Sequence, residues 1–141
     1  MKRSAHAQWR GDLKSGAGTV SADSGILHEA PYSFVTRFEN GKGTNPEELL
    51  AAAHAGCFSM ALSMVLQQAG FTAELIDTRC TISLEKRDDG FAIVASHLVL
   101  NAKVPGASQE QFLEAANTAK QNCPVSKLYK ADITLEATLA S

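Results

Sequence analysis

One long stretch without charged side chains constrains the fold of this chain more than any other feature. Residues 49–73 contain no Asp, Glu, Lys or Arg, although 20% of the whole chain is charged. Just before it come Thr44 or Asn45 as a helix cap, then a proline and two glutamates that face the positive end of a helix dipole. Gly70 supplies a helix end. The stretch therefore predicts one long central helix over about residues 46–69.

The apolar residues of this helix lie on every side of it, which is typical of a helix buried all round. Its 24 residues span about 36 Å, close to the whole diameter of a compact chain of this size. One subunit covers such a helix poorly, so we expect a partner subunit. A membrane span is rejected because many of its apolar residues are alanine and because it carries polar side chains, namely His54, Ser59, Ser63, Gln67 and Gln68.

Composition excludes several classes of function. The 141 residues suffice for one domain, 45% of them are apolar, and the net charge is −2 with a pI of about 6.1. The absence of a Lys/Arg cluster argues against nucleic acid and against an anionic membrane surface as partners. No apolar run follows the basic residues at the start, so we expect no signal peptide and a cytoplasmic location.

The remaining patterns predict an α+β fold, with antiparallel sheets packed around the long helix. The region from Tyr32 to Phe38 alternates as a third strand that places Arg37 on the face opposite the aromatic side chains. We interpret residues 1–141 as a single domain. Its predicted elements are strands over about 5–38, the central helix over about 46–69, a hairpin over about 72–103, helices over about 108–121 and 124–130, and a last strand over about 131–139.

Three cysteines carry the candidate chemistry. An odd number without an export signal argues against a disulfide scaffold, and the spacing matches no zinc motif. Cys57 lies in the middle of the central helix, where an inert packed thiol and a reactive thiol both remain open. Cys80 lies on the apolar face of its strand and is interpreted as core packing. Cys123 precedes Pro124 at the start of a predicted helix. It either serves only as the cap of that helix, or the N–H groups and dipole of the helix favour its thiolate form.

The predicted environments of Cys57 and Cys123 differ, so the two thiols could take different roles in one reaction. Burial raises the pKa of a thiol, so Cys57 needs a cation to ionise at neutral pH, and arginine suits that role because it stays charged. Cys123 can attack an oxidised Cys57 to form a transient disulfide. Two other classes remain open. One is a binding module for an apolar ligand with Cys57 as lining, and the other is a cysteine hydrolase with His54 as the base, for which no orienting group or oxyanion hole is indicated.

Six short motifs are distinctive in combination. They are Trp-x-Gly-Asp at 9–12, Gly-Thr-Val-Ser at 18–21, Thr-Arg-Phe-Glu at 36–39, Gly-Thr-Asn-Pro-Glu-Glu-Leu at 43–49, Ala-His-Ala-Gly-Cys-Phe at 53–58 and Cys-Pro-Val at 123–125. Together they resemble the OsmC/Ohr family of thiol-dependent organic hydroperoxide reductases, with the closest match to its osmotically inducible OsmC branch. The resemblance runs from about Ala5 to the end of the chain. Gly56 departs from it, since alanine is familiar before the cysteine, and glycine within a helix costs up to about 1 kcal/mol.

The resemblance implies a role for four residues. Cys57 would be the peroxidatic thiolate and Cys123 the resolving thiol, while Arg37 would stabilise the thiolate and Glu47 would orient Arg37. In a straight helix, Glu47 is about 15 Å of rise from Cys57, so Arg37 must bridge the two or the first turn must bend away.

The resemblance also implies an intertwined homodimer with two sites at its interface. The substrate would be an organic hydroperoxide, in oxidative or osmotic stress defence, and an external dithiol, possibly of the lipoyl type, would be the reductant. No metal, haem or flavin is expected, because the thiolate supplies both electrons.

Overall fold

The computed structural model of the protein describes residues 1–130 and 133–137. The elements alternate between short strands, helices and one long hairpin, as the sequence predicts. In chain order they are β1 (Ala5–Arg10), β2 (Ala17–Ala22), β3 (Ala30–Tyr32), α1 (Phe34–Phe38), α2 (Pro46–Gln68), β4 (Leu75–Arg87), β5 (Gly90–Lys103), α3 (Gln109–Asn122) and a 3₁₀ helix (Pro124–Lys130).

The chain forms two compact units, and α2 and the β4–β5 hairpin contribute residues to both. The first unit contains Met1–Ala52 and Thr81–His97, and the second contains Ala53–Cys80 and the residues from Leu98 onward. The single domain over 1–141 therefore stays a prediction.

In the first unit, β1, β2 and β3 form an antiparallel sheet in that order. The ring of Trp9 on β1 lies 5.4 Å from that of Tyr32 on β3, centroid to centroid. Both rings flank Gly18 on β2, where an added Cβ would come within 2.5 Å of the Tyr32 ring and 2.8 Å of the Trp9 ring. Glycine at this position therefore allows the two aromatic rings to pack across the sheet.

The predicted third strand is wrong from Ser33 onward, because α1 begins there. Ser33 and Thr36 form a capping box, in which the Ser33 hydroxyl accepts the Thr36 N–H at 3.3 Å and the Thr36 hydroxyl accepts the Ser33 N–H at 2.8 Å. These bonds satisfy the orphan N–H groups of a helix start and outweigh the β-branched alternation. Arg37 consequently lies in the last turn of a helix, with its guanidinium 5.5 Å from the centre of the neighbouring Phe38 ring.

In the second unit, α2 packs one face against α3. Phe58, Leu62 and Leu66 recur at helical spacing and are almost fully buried. They contact Ala115 and Ala119, the small residues of α3 that allow the two helices to approach closely. The hairpin completes this core from another side with partly buried apolar residues, namely Ile76, Leu98 and Leu100.

The opposite face of α2 is exposed among the residues that the structure describes. Met60 and Met64 are 79% and 55% exposed, so the prediction of a helix buried all round does not hold for one chain alone. Within the described residues α2 is also the one helix with the length and hydropathy to cross a membrane. Its packed face shows that the same composition serves a protein core here.

The β4–β5 hairpin shows the predicted alternation of its side chains. The predicted last strand is not found in the part of its range that the structure describes. Cys80 lies half-buried on the alternating inner face of β4, and Gly90 with φ +121° follows the two-residue turn. Residues 133–137 form no strand and are exposed, and the rest of the range 131–139 lies outside the described residues. The alternation in this range predicts which side chains share one face. A strand also needs a neighbouring backbone with which to form hydrogen bonds.

Candidate active site

The first unit pairs Arg37 with Glu47. Arg37 Nη2 donates to Glu47 Oε1 at 2.8 Å, and Arg37 Nε donates to Oε1 and Oε2 at 3.1 and 3.3 Å. The Glu47 side chain is 11% exposed and that of Arg37 39%. This planar, multiply bonded contact fixes the direction in which the guanidinium points. Its remaining nitrogen, Nη1, takes no part in the contact with the carboxylate.

A single asparagine builds the local frame for this ion pair. Asn45 Oδ1 accepts the Glu48 N–H at 2.8 Å and so caps α2, and Asn45 Nδ2 donates to the Thr36 carbonyl at 3.0 Å. The cap therefore joins the start of α2 to α1. The sequence identified Asn45 only as a candidate cap, because its second bond depends on where α1 lies.

An aromatic cavity adjoins Arg37 within the same unit. It has a volume of about 300 Å³, and Trp9, Tyr32, Phe34 and Phe38 form most of its wall together with the arginine. An apolar wall around one fixed cation is an arrangement suited to a ligand with an organic body and a polar or anionic end.

The second unit brings together the two cysteines that the sequence singled out. Cys57 Sγ on α2 and Cys123 Sγ after α3 lie 2.8 Å apart, although 66 positions separate them in the chain. Cys123 is fully buried, and its backbone N–H caps α3 by donating to the Ala119 carbonyl at 2.9 Å. Since a disulfide bond is about 2.05 Å long, the two sulfurs need to approach by only about 0.8 Å to join.

The two thiols differ in their tendency to ionise. Burial raises the pKa of Cys57, and its hydrogen bond with Cys123 raises it further. Burial also acts to raise the pKa of Cys123, but hydrogen bonds from Cys57 and from the N–H and hydroxyl of Ser126 outweigh it and lower that pKa. The groups of this unit therefore favour a thiolate on Cys123, and Cys57 requires a further positive charge, as the sequence argument states.

His54 and Ser126 complete the surroundings of the cysteines. His54 is 8% exposed, and its Nε2 is hydrogen-bonded to Ser126 Oγ at 2.9 Å. Burial lowers the pKa of His54, so the imidazole is neutral at neutral pH. The sequence indicated His54 only as a possible base for Cys57 and indicated no role for Ser126. The short spacing of Ser126 from Cys123 was the available signal.

A second, larger cavity opens beside Cys57. Its volume is about 560 Å³, and its lining includes Met60 and Met64 of α2 together with Thr118 and Pro124. Methionine side chains are flexible and polarisable, so this wall adapts to apolar groups of different shape. Among the described residues no group of three or more His, Cys, Asp or Glu side chains is placed to hold a metal ion.

Comparisons with known proteins indicate a family and agree with the fold. A family model described as OsmC-like protein matches residues 39–138. The chain is 52% identical over 141 residues to peroxiredoxin OsmC of Escherichia coli K12, covering all of this chain and 99% of that protein.

More distant relatives carry a second name. The chain is 31% identical over 124 residues to the organic hydroperoxide resistance protein OhrB of Bacillus subtilis, covering 87% of this chain and 89% of that protein. The crystal structure of OhrB superposes with a TM-score of 0.69 at 29% identity, over 92% of each chain. The α+β architecture with antiparallel sheets and a central helix is therefore confirmed.

Proposed function

The chain belongs to the OsmC family, and from that premise we propose that it is a thiol peroxidase that reduces organic hydroperoxides to alcohols through Cys57 and Cys123. The observation that carries the assignment is the 2.8 Å separation of the two sulfurs, one in a cavity wall and one fully buried. Hydrogen peroxide would be a poorer substrate.

The reaction needs only these two sulfurs and an external reductant. The Cys57 thiolate attacks the terminal oxygen of the hydroperoxide, the O–O bond breaks, and the alkoxide leaves and takes up a proton to become the alcohol. Cys57 is now a sulfenic acid. Cys123 attacks its sulfur and displaces hydroxide, which becomes water, and the two cysteines form a disulfide. A dithiol, which we propose to be of the lipoyl type, then restores both thiols.

Arg37 is proposed to stabilise the Cys57 thiolate and to polarise the peroxide, with Glu47 holding the guanidinium in place. Support comes from both units separately. Burial raises the pKa of Cys57, so the thiol needs a cation, and the Arg37 guanidinium keeps one edge outside its carboxylate contact. This role requires the Arg37 guanidinium to reach the Cys57 sulfur, either within one subunit or from the partner subunit of a dimer.

The organic part of the substrate is assigned to apolar side chains. Met60 and Met64 border the cavity beside Cys57, while Phe34 and Phe38 border the one beside Arg37. Apolar walls favour an alkyl or aryl hydroperoxide because its carbon chain leaves water on binding, whereas hydrogen peroxide gains nothing from them.

We further propose an intertwined homodimer in the cytoplasm, in defence against oxidative and osmotic stress. The exposed methionine face of α2 supports the dimer, because an exposed apolar surface on a central helix is a usual site of association. A partner covering that face would close the cavity and place the site at the interface.

The decisive experiment adds one equivalent of an alkyl hydroperoxide to the fully reduced protein and maps disulfides by mass spectrometry. We expect a Cys57–Cys123 bridge and the stoichiometric alcohol. A Cys57–Cys80 bridge, or peroxide consumption without any bridge, would contradict the role of Cys123. The Cys57→Ser variant separates the enzyme from a mere binding module, because only an enzyme loses peroxide consumption on this change.

The role of Arg37 is tested by Arg37→Met, which keeps much of the side-chain length and removes the charge. We expect a higher pKa for the Cys57 thiol and slower peroxide consumption. If both thiol ionisation and peroxide consumption equal those of the unchanged protein, the proposed role of Arg37 is wrong.

A further inference from the structure

Asn45 makes two hydrogen bonds of opposite sense at the place where α1 and α2 meet in the first unit. Its Oδ1 accepts the Glu48 N–H at 2.8 Å, and its Nδ2 donates to the Thr36 carbonyl at 3.0 Å. The first bond caps α2, and a serine or an aspartate would cap it as well. The second bond needs the amide nitrogen, because aspartate has no N–H and serine is one bond shorter.

The acceptor of the second bond lies at the end of α1. This helix has five residues, Phe34–Phe38, and a helix leaves its last carbonyls without partners inside it. Thr36 is 8% exposed, so its carbonyl has little access to water. Because an unpaired buried carbonyl is unfavourable, the Asn45 amide satisfies a group that the end of the helix leaves open. The bond fixes α1 at the residue directly before Arg37.

The donor of this bond belongs to a segment that is itself fixed on the sheet. The Thr44 N–H donates to the Pro31 carbonyl of β3 at 2.9 Å. Gly43, with φ +133°, lies so close that an added Cβ would collide with the same carbonyl. Asn45 follows directly, so its amide joins α1 to a part of the chain that is already held in place.

We propose that Asn45 is a positioning residue for the proposed peroxidase reaction. Through its bond to the Thr36 carbonyl it sets where α1 lies on the start of α2. The Arg37 guanidinium consequently meets the Glu47 carboxylate through two of its nitrogens and keeps one orientation. Asn45 acts through Arg37 and touches neither the peroxide nor a reacting sulfur. The inference therefore rests on the proposed function and on the role of Arg37 in it.

The competing interpretation is that Asn45 only caps α2. The flexible Arg37 side chain would then find Glu47 without any help from the amide. Asn45→Ser and Asn45→Asp separate the two interpretations, because both keep an oxygen that can cap the helix and both lose the amide N–H. The two variants differ in charge, so an effect that they share does not come from the new carboxylate.

Thr44→Val is the matched control. The Thr44 hydroxyl donates to Glu48 Oε1 at 3.0 Å, so this variant removes a neighbouring hydrogen bond at the start of α2. It leaves the bond between Asn45 and the Thr36 carbonyl in place. Circular dichroism and thermal unfolding confirm that each variant is folded.

Nuclear magnetic resonance of the arginine Nε–H groups reports the ion pair without any peroxide. The Arg37 signal is identified by its loss in Arg37→Met. Because Arg37 Nε donates to both oxygens of Glu47, we expect a signal protected from exchange in the unchanged protein and in Thr44→Val. In Asn45→Ser and Asn45→Asp this signal should shift and exchange faster with water.

The rate of peroxide consumption is measured on the same proteins with an alkyl hydroperoxide and an excess of dithiol. Asn45→Ser and Asn45→Asp should each react about tenfold more slowly than the unchanged protein, because a displaced cation stabilises the reaction less well. Thr44→Val should react at the full rate. When Arg37 is already methionine, neither change at Asn45 should slow the reaction further.

An unaltered Arg37 signal in Asn45→Ser and Asn45→Asp overturns the positioning role, whatever the rates are. The full rate of peroxide consumption in both variants also overturns it, and so does a slower rate in Asn45→Asp alone or an equal loss in Thr44→Val. If the unchanged protein consumes no hydroperoxide, the proposed function is wrong, and the Arg37 signal then shows separately whether Asn45 holds the ion pair.

Discussion

Replacing Glu47 by glutamine tests the ion pair on which the proposed role of Arg37 depends. The change removes the charge of a carboxylate that accepts from two guanidinium nitrogens, with the Nε–H shared between its two oxygens, and it keeps nearly the same shape. Breaking a fully buried pair costs about 3–5 kcal/mol, and exposed pairs contribute about 0–1 kcal/mol. With side-chain exposures of 11% and 39%, we expect a loss of about 1–2 kcal/mol in the free energy of unfolding.

Glu48→Gln is the matched control for this variant. Both glutamates lie in the first turn of α2, so each loses about 0.3–1 kcal/mol of interaction with the helix dipole and this loss cancels in the comparison. Glu48 is exposed and accepts only a Thr44 hydroxyl bond at 3.0 Å. Urea unfolding at one fixed protein concentration measures both variants, and Glu47→Gln should be the less stable by about 1 kcal/mol.

The same variants separate structure from function. If Glu47 orients Arg37, peroxide reduction should slow by about tenfold in Glu47→Gln, the rate equivalent of about 1.4 kcal/mol. The double variant with Arg37→Met should be no slower than Arg37→Met alone. Equal stability of Glu47→Gln and Glu48→Gln would refute the contact, and a loss of stability without a loss of rate would refute the orienting role.

Three further outcomes follow from the geometry. Gly56→Ala should stabilise the protein by up to about 1 kcal/mol in thermal unfolding, because an added Cβ meets nothing within 4 Å, whereas Gly70→Ala at φ +90° should destabilise it. Leu66→Ala should cost about 2–5 kcal/mol in urea unfolding, since Leu66 is fully buried against α3, and a smaller loss would contradict that packing. The thiolate absorbance at 240 nm should show that the reduced pair titrates in two steps, one below and one above the ordinary thiol pKa. The lower step should come chiefly from Cys123, and two unshifted steps would contradict the coupling of the thiols. Because its pKa is lowered, Cys123 stabilises the fold above the ordinary thiol pKa, and this stabilisation is lost as pH falls through the lower step. Because its pKa is raised, Cys57 stabilises the fold below the ordinary thiol pKa, and this stabilisation is lost as pH rises through the upper step.

The sequence by itself determined the elements whose causes are local. The start of α2 follows from its cap, proline and glutamates, the α3 capping box is present at Ser108, and the hairpin turn forms where predicted. Each depends on neighbours within about four positions, which a sequence displays directly. The family could be named for the same reason, because its motifs are contiguous.

Tertiary structure decided what depends on distant partners. The five residues after Ser33 alternate like a strand but form a helix that carries Arg37. Its Ser33–Thr36 capping box is local and could have been seen in the sequence, whereas the bond from Asn45 that ties this helix to the start of α2 depends on the tertiary structure. Residues 133–137 alternate as well and form no strand. Alternation fixes which side chains share a face, but a strand exists only where another backbone takes its hydrogen bonds.

The cysteines show the same division. The residue types indicated which thiols could react, while only the packing of α2 against α3 set their sulfurs 2.8 Å apart and buried Cys123 completely. Burial and the bond with Cys123 raise the pKa of Cys57, whereas the burial that would raise the pKa of Cys123 is outweighed by its hydrogen bonds with Cys57 and Ser126, which lower it. The solvation and hydrogen bonds of a thiol depend on the groups around it in the folded protein. Residues 66 positions apart in the chain come into contact only when the chain folds.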